Sequence, residues 1–200
     1  MNLTLRRVPA ADLDRLRSDE TFLAAMTATA FGGDFLAEAA AGLPWYTRLL
    51  FRLFIKGKVQ LPAVPPAATM PDAATTETLG LHKSWHGLHW LICQDAWQGP
   101  EPLRFALLGA DEVGEDLGYG PPSMSSPQVV ASVALELGRL SEAVLLERFD
   151  GPKMEELEIY PGGWTEDRSW RGDLRRDYRR LQDFYARAAK DGDGMLSWIS

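Results

Sequence analysis

Cysteine and histidine are scarce in this chain of 200 residues. Cys93 is the single cysteine, and the three histidines are His82, His86 and His89. One thiol excludes a disulfide within the chain and is typical of proteins in a reducing compartment. A chain of this length can bury a sizeable hydrophobic core, so its stability requires neither cross-links nor a metal. We therefore expect a cytoplasmic protein.

Long apolar runs and surplus positive charge are missing as well. No stretch approaches the ~20 apolar residues that a membrane-spanning helix needs, and the N-terminal segment lacks the apolar run of a signal peptide. The formal net charge is −7, which argues against binding to the phosphates of DNA or RNA. We expect neither a membrane span nor a nucleic-acid partner.

Sequence motifs of several enzyme classes are also absent. The chain has no P-loop, no GxSxG nucleophile elbow, no HExxH pair and no paired CxxC motifs. Gly114, Gly118 and Gly120 have the wrong spacing for a loop that cradles phosphate. We predict no bound cofactor and no metal.

The sequence does contain many short helical patterns and few strands. Asp19, a serine before Pro127, and Ser141 are placed as helix N-caps. An apolar stripe with steps of three and four residues predicts a long helix over about 168–190. Three strands are predicted: an edge strand over MNLTLRRV, a buried strand over LRFALLG (103–109), and a short terminal strand over GMLSWIS. Because strands and helices do not alternate, we predict an α+β fold: a predominantly helical single domain around a small mixed or antiparallel sheet.

Two segments before residue 80 have unusual composition. PWYTRLLFRLFIKGK (44–58) combines helical apolar spacing with four basic residues, which fits either a solvated face or contact with an anionic surface or partner. LPAVPPAATMPDAATTETLG (61–80) holds four prolines and few charges, so we predict a connector or surface loop.

All three histidines and the cysteine fall in LHKSWHGLHWLIC (81–93). On a helix over about 76–93, His82, His86, His89 and Cys93 share one stripe. The imidazoles are too far apart along such a helix to converge on one ion, because metal–nitrogen bonds are only about 2 Å long. A pair would need a third ligand, such as Glu115 or Asp116. We expect instead a buried helix whose histidines bond to carbonyl groups, or a wall of a ligand or partner pocket.

Three stretches resemble the YfbM-like family of small bacterial proteins, which is grouped as a domain of unknown function. They are SWHGLHWLIC, FALLGADEVGEDLGYGPP and FDGPKMEELEIYPGGW. The resemblance implies one α+β domain over residues 1–200, with a helical, proline-rich insertion at about 31–76. It implies no activity. The family pattern has an aspartate where this chain has His82, which weakens any joint role for the three histidines.

Our first hypothesis is a non-enzymatic binding module for an unknown protein or small molecule, such as one that regulates another protein or neutralises a toxin. Its surface would form where the GEDLGYGPP loop and the IYPGGW turn approach the histidine helix. The alternative is a hydrolase or transferase, metal-assisted or not, that uses His86 or His89 as a base with Glu115 or Asp116. The aromatic residues could also simply fill the core. The residues expected to bind are Trp85, His86, His89, Glu115, Asp116, Tyr119, Tyr160 and Trp164.

Overall fold

Five short strands form one antiparallel sheet in the computed structural model, which describes residues 1–28, 77–166 and 169–200. The strands are β1 (Leu3–Val8), β2 (Thr78–Leu81), β3 (Asp111–Glu112), β4 (Ser123–Ser125) and β5 (Gly194–Ile199). Their order across the sheet is β2-β1-β5-β4-β3. The two longest strands, β1 and β5, therefore come from opposite ends of the described chain and lie side by side.

Eight α-helices accompany the sheet within the described residues. They are α1 (Leu13–Ser18), α2 (Glu20–Ala28), α3 (Trp85–Cys93), α4 (Phe105–Leu108), α5 (Pro127–Arg139), α6 (Glu142–Glu147), α7 (Gly151–Glu156) and α8 (Trp170–Asp191). The prediction of a mainly helical α+β fold around a small antiparallel sheet is confirmed.

Strand β1 lies inside the sheet, between β2 and β5, so the prediction of an edge strand is wrong. Successive side chains of a strand point to opposite faces. Leu3 and Leu5 enter the larger hydrophobic core, to which α3, α5 and α8 contribute. Val8 enters a second core that α1 and α2 share. Helices cover both faces, which explains why the strand shows only weak alternation of apolar and polar residues.

The apolar stripe of the last long helix is confirmed. Leu174, Leu181 and Ala188 are fully buried along α8, while Trp170 at its first position is half-buried. The hydroxyl of Tyr178 donates to the main-chain oxygens of Leu137 and Leu140, at 2.9 and 2.7 Å. This polar contact satisfies carbonyl groups at the end of α5, which otherwise lack partners within the helix.

The predicted helix caps are confirmed. Asp19, Ser126 and Ser141 each accept a hydrogen bond from the main-chain N–H three residues further along the chain. Such a bond satisfies one of the free donors in the first turn of a helix. These short polar side chains therefore mark the starts of α2, α5 and α6.

The predicted helix over 76–93 begins nine residues later, at Trp85. Residues 78–81 form β2 instead, with Leu81 opposite Leu3 of β1. The stripe of four side chains is therefore broken, because His82 lies in the exposed turn before α3.

The buried strand predicted over LRFALLG is also wrong, since Phe105–Leu108 form the short helix α4. Periodicity cannot separate a strand from a helix in so short an apolar run.

Two sequence predictions fall largely on residues outside the described ranges. The basic helix at 44–58 and the insertion at 31–76 lie outside them, as does most of the 61–80 connector. The end of that connector, Thr78 to Gly80, belongs to β2. Over the ranges 1–28, 77–166 and 169–200, no helix is long and apolar enough to cross a membrane.

Candidate functional site

Helix α3 is buried along its whole length, from Trp85 to Cys93. It packs in the larger core against α4, α6 and α8. Its end is set by Gln94, which adopts the left-handed conformation, with φ of 57°, and donates its main-chain N–H to the oxygen of Trp90. The chain then turns back over the helix, which brings the loop at 94–99 beside the histidines.

His86 is 2% exposed, and both of its ring nitrogens have main-chain partners. Nε2 lies 2.8 Å from the oxygen of Ala96, and Nδ1 accepts the main-chain N–H of Tyr160 at 3.0 Å. The N–H of Tyr160 can only donate, so the proton of a neutral ring sits on Nε2. Burial lowers the pKa of His86, and the bond to Ala96 opposes this shift. The imidazole thus ties two separate loops to α3.

His89 has a similar role at the next turn of α3. It is 1% exposed, and its Nε2 lies 3.2 Å from the oxygen of Gln98. Burial lowers the pKa of His89 from 6.5 to about 4, with partial opposition from the bond to Gln98. The Sγ of Cys93 lies 4.0 Å from Nδ1. Burial raises the pKa of Cys93 to about 12, so the thiol is not a ready nucleophile.

The loop that these histidines hold is shaped by Asp95. Its Oδ1 accepts the main-chain N–H groups of Trp97 and Gln98, at 2.9 and 2.7 Å. Such an aspartate turn fixes the backbone locally. Gly99 follows with φ of 143°, and a Cβ there would lie 2.6 Å from the Cβ of Cys93. Glycine is therefore needed for the loop to pass this close to the end of α3.

The loop presents Trp97, which sequence reasoning did not single out. Trp97 is 53% exposed, and its ring centroid lies 4.4 Å from that of His86. His86 in turn stacks on buried Trp85, at 4.9 Å and an interplanar angle of 17°. Half-buried Tyr160 lies 6.5 Å from Trp85. We call Trp97 and Tyr160, with the Trp85–His86 pair beneath them, the Trp97 face.

Trp164, expected to bind, belongs to the core. It is 2% exposed, and its Nε1 donates to the oxygen of Ile159 at 2.6 Å. Its ring lies directly against α3, where a Cβ at Gly87 would come within 2.3 Å of the ring. Gly87 therefore makes room for the indole. Trp85, at 0% exposure, is also a core residue. Neither side chain is accessible to a partner.

The acidic loop between β3 and β4 is exposed, as expected, but it is not tied to α3. Asp116 accepts the main-chain N–H groups of Gly118 and Gly120, at 2.6 and 2.9 Å. Tyr119 is 57% exposed, and Glu115 is exposed in the same loop. Within the described residues, no hydrogen bond, ion pair or ring contact joins this loop to His86 or His89. The predicted meeting of the two motifs is therefore not seen.

A catalytic pair of histidine and carboxylate is not assembled at this place. Both ring nitrogens of His86 and Nε2 of His89 contact main-chain groups, and Nδ1 of His89 faces the Sγ of Cys93. Glu115 and Asp116 are exposed in another loop. Over residues 1–28, 77–166 and 169–200, no group of three or more His, Cys, Asp or Glu side chains could hold a metal ion.

A separate cleft of about 380 Å³ opens beside the start of α3. Its floor contains the buried carboxylate of Asp177, which accepts the hydroxyl of Ser84 at 2.6 Å. Arg176 and Arg180 pair with the same carboxylate, at 3.2 and 3.0 Å. Sequence reasoning missed this cleft because its residues come from both ends of the chain and from its middle. The residues that line it are Asn2, His82, Lys83, Ser84, Trp170, Asp173, Arg176 and Asp177.

Comparison with known protein families gives one match that spans the chain. The family described as a domain of unknown function, DUF1877, matches residues 1–198. The chain belongs to this DUF1877 family. Comparison with curated proteins gave no match.

A solved structure matches this DUF1877 protein in fold. It is the crystal structure of YfbM, a protein of unknown function from Escherichia coli, with a TM-score of 0.58 and 17% sequence identity. The match covers 98% of each chain. At this identity the likeness shows the fold alone, and it agrees with the family resemblance that the three sequence stretches carry.

Proposed function

We propose that this protein is a non-enzymatic binding module that recognises a partner protein through the Trp97 face. The observation that supports this most is the exposed indole of Trp97, packed against His86 and held in place by the turn at Asp95. Exposed, rigid tryptophan and tyrosine side chains contribute large contact areas at a low entropic cost. A protein that regulates or neutralises another protein would use such a surface.

The state of the histidines supports a positioning role over a catalytic one. A general base needs a ring nitrogen within reach of a substrate proton. The nitrogens of His86 contact the oxygen of Ala96 and the N–H of Tyr160, both on loops that form or flank the Trp97 face. The imidazole therefore holds the two aromatic residues of the face in their relative places.

The charge around the face indicates the chemistry of the partner. Asp95 lies exposed within the same loop, and the chain carries a net charge of −7. A complementary surface would offer an apolar pocket for the indole and a basic rim near Asp95. The partner that fits is thus a protein with a basic surface around an apolar pocket.

Site-specific photo-crosslinking in the native host tests this proposal. A benzophenone amino acid replaces Trp97 in one variant and Tyr119 in the matched control, because Tyr119 is equally exposed on a different loop. We expect one crosslinked protein at position 97 and none of that protein at position 119. Purification with Trp97→Ala should lose the same protein, while Tyr119→Ala should keep it.

The proposal would be overturned if position 97 yields no crosslinked protein. It would equally be overturned if both positions capture the same proteins, since contact would then not be specific to this face. Circular dichroism of Trp97→Ala should match the wild type, because the residue is exposed, and this control separates lost binding from lost folding.

A further inference from the structure

We infer that the cleft at the start of α3 is a binding site for a small organic anion that carries a planar ring. A volume of about 380 Å³ lies within the range of small-molecule sites, roughly 300–1,000 Å³. Among the described residues, none of the Trp97 face lines the cleft, so this inference does not rest on the proposed protein partner.

The buried carboxylate in the floor is already satisfied by the protein. The side chain of Asp177 is 4% exposed, and its carboxylate accepts hydrogen bonds from Ser84, Arg176 and Arg180. Arg176 also bonds to Asp173 at 2.8 Å. These two arginines and two aspartates balance in charge. The floor therefore offers no uncompensated negative charge that would repel an anion.

One charge of the lining is not paired in the part of the chain that the structure describes, because Arg180, from outside the lining, supplies the second cation that binds Asp177. Lys83 lines the cleft and, within the described residues, makes no ion pair. His82 and Asn2 line it as well and supply further hydrogen-bonding groups. Helix α3 begins here, since Ser84 lies on the lining, and its first turn holds no acidic residue to offset the partial positive charge of a helix start. The start of α8 differs, because Asp173 lies in its first turn. The ammonium group of Lys83 beside the start of α3 favours an anionic group.

The aromatic wall of the cleft is Trp170. Its Nε1 donates to the oxygen of Gly163 at 3.2 Å, and its ring lies 4.6 Å from that of buried Trp164. The indole is therefore fixed from one side while it lines the cleft. A fixed aromatic face favours stacking with a planar ring, because little side-chain entropy is lost on binding. This feature selects a ring-bearing anion over a bare inorganic one.

The test is a titration of ¹⁵N-labelled full-length protein followed at the indole N–H signal of Trp170, which a Trp170→Phe variant assigns. The probes are phenyl phosphate, the uncharged aromatic compound benzyl alcohol, and inorganic phosphate. We expect phenyl phosphate to give saturable shifts at Trp170 and to bind more tightly than either other probe. Lys83→Gln should weaken its binding roughly tenfold, the effect of losing one charged contact.

The matched control is Lys190→Gln, which removes a lysine near the far end of α8 that does not line the cleft. It should bind phenyl phosphate as the wild type does. The inference would be overturned by equal binding of phenyl phosphate and benzyl alcohol, by an unchanged affinity in Lys83→Gln, or by no saturable shift at all. Binding of inorganic phosphate as tight as that of phenyl phosphate would refute the role of Trp170.

Discussion

Replacing His89 with glutamine should remove a specific component of the pH dependence of stability. The amide nitrogen of glutamine can take the place of Nε2 and keep the hydrogen bond to Gln98. What it cannot do is titrate. Because burial lowers the pKa of His89 from 6.5 to about 4, the unfolded chain binds a proton at this ring that the folded chain refuses between those pH values. The free energy of unfolding must therefore fall as the pH falls below about 6.5.

The size of this effect follows from the two pKa values. Relative to about pH 7.5, the wild type should lose about 1–2 kcal/mol at about pH 5.5 through His89 alone. Carboxylates of lowered pKa, such as those of Asp19 and Glu77, also lose stabilisation on acidification, but at lower pH and equally in both proteins. The difference between wild type and His89→Gln thus isolates the imidazole.

Urea unfolding followed by tryptophan fluorescence at both pH values measures the difference. His82→Gln is the matched control, because it makes the same substitution at an exposed histidine before α3 and leaves His89 in place. If His89→Gln lost as much stability as the wild type between the two pH values, His89 would not be buried as a neutral ring. The claim that His89, as a neutral ring, holds the loop at 94–99 through its hydrogen bond to Gln98 would then be refuted.

Two further substitutions test the packing around α3 and α8. Gly87→Ala places a methyl group 2.3 Å from the ring of Trp164. Thermal unfolding should show that the free energy of unfolding falls by about 1–3 kcal/mol, because the core is overpacked. The control is Gly138→Ala, which has open space around it and should be neutral or stabilising by up to about 1 kcal/mol. Equal effects at the two glycines would contradict this packing. Tyr178→Phe should cost about 1–2 kcal/mol in urea unfolding, because the oxygen of Leu140 loses its hydroxyl donor, while the oxygen of Leu137 keeps the amide of Gln182 at 2.7 Å. An unchanged midpoint would contradict that role.

Features fixed by local chemistry could be predicted from the sequence. The stripe that includes Leu174, Leu181 and Ala188 has the period of a helix regardless of its partners. Ser126 and Ser141 cap helices through bonds that span only three residues. For such features, the residues that decide the structure are neighbours in sequence.

Features fixed by distant contacts were predicted wrongly or missed. The helix expected over 76–93 loses its N-terminal portion because Leu79 and Leu81 pair with Leu5 and Leu3 of β1, at the other end of a long stretch of chain. The same contact separates His82 from His86 and His89. The position of β1 inside the sheet likewise depends on β5, near residue 200. A local sequence pattern does not identify which distant strand a segment will pair with.

The candidate site was predicted only partially. The interpretation of the histidines as buried donors to carbonyl groups matches the contacts of His86 and His89 but not exposed His82. Ala96 and Gln98 could not be named as partners, since those contacts depend on the returning loop. Trp97 has no periodic pattern around it. The one signal that could have found it is an aspartate two residues before and a glycine two residues after, which are typical of a tight, exposed turn.

The most direct test of the central claim is a long-range ¹H–¹⁵N NMR experiment on the histidine rings. The claim is that His86 and His89, as neutral rings, hold the loops of the Trp97 face through hydrogen bonds to the main chain. Spectra between about pH 7.5 and pH 5.5 should show the His89 ring neutral throughout, with its proton on Nε2 as the contact with Gln98 requires. The neutral His86 ring should carry its proton on Nε2, toward Ala96, and its pKa should lie below that of free imidazole. Two rings that gain a second proton near pH 6.5, as free imidazole does, would contradict the claim.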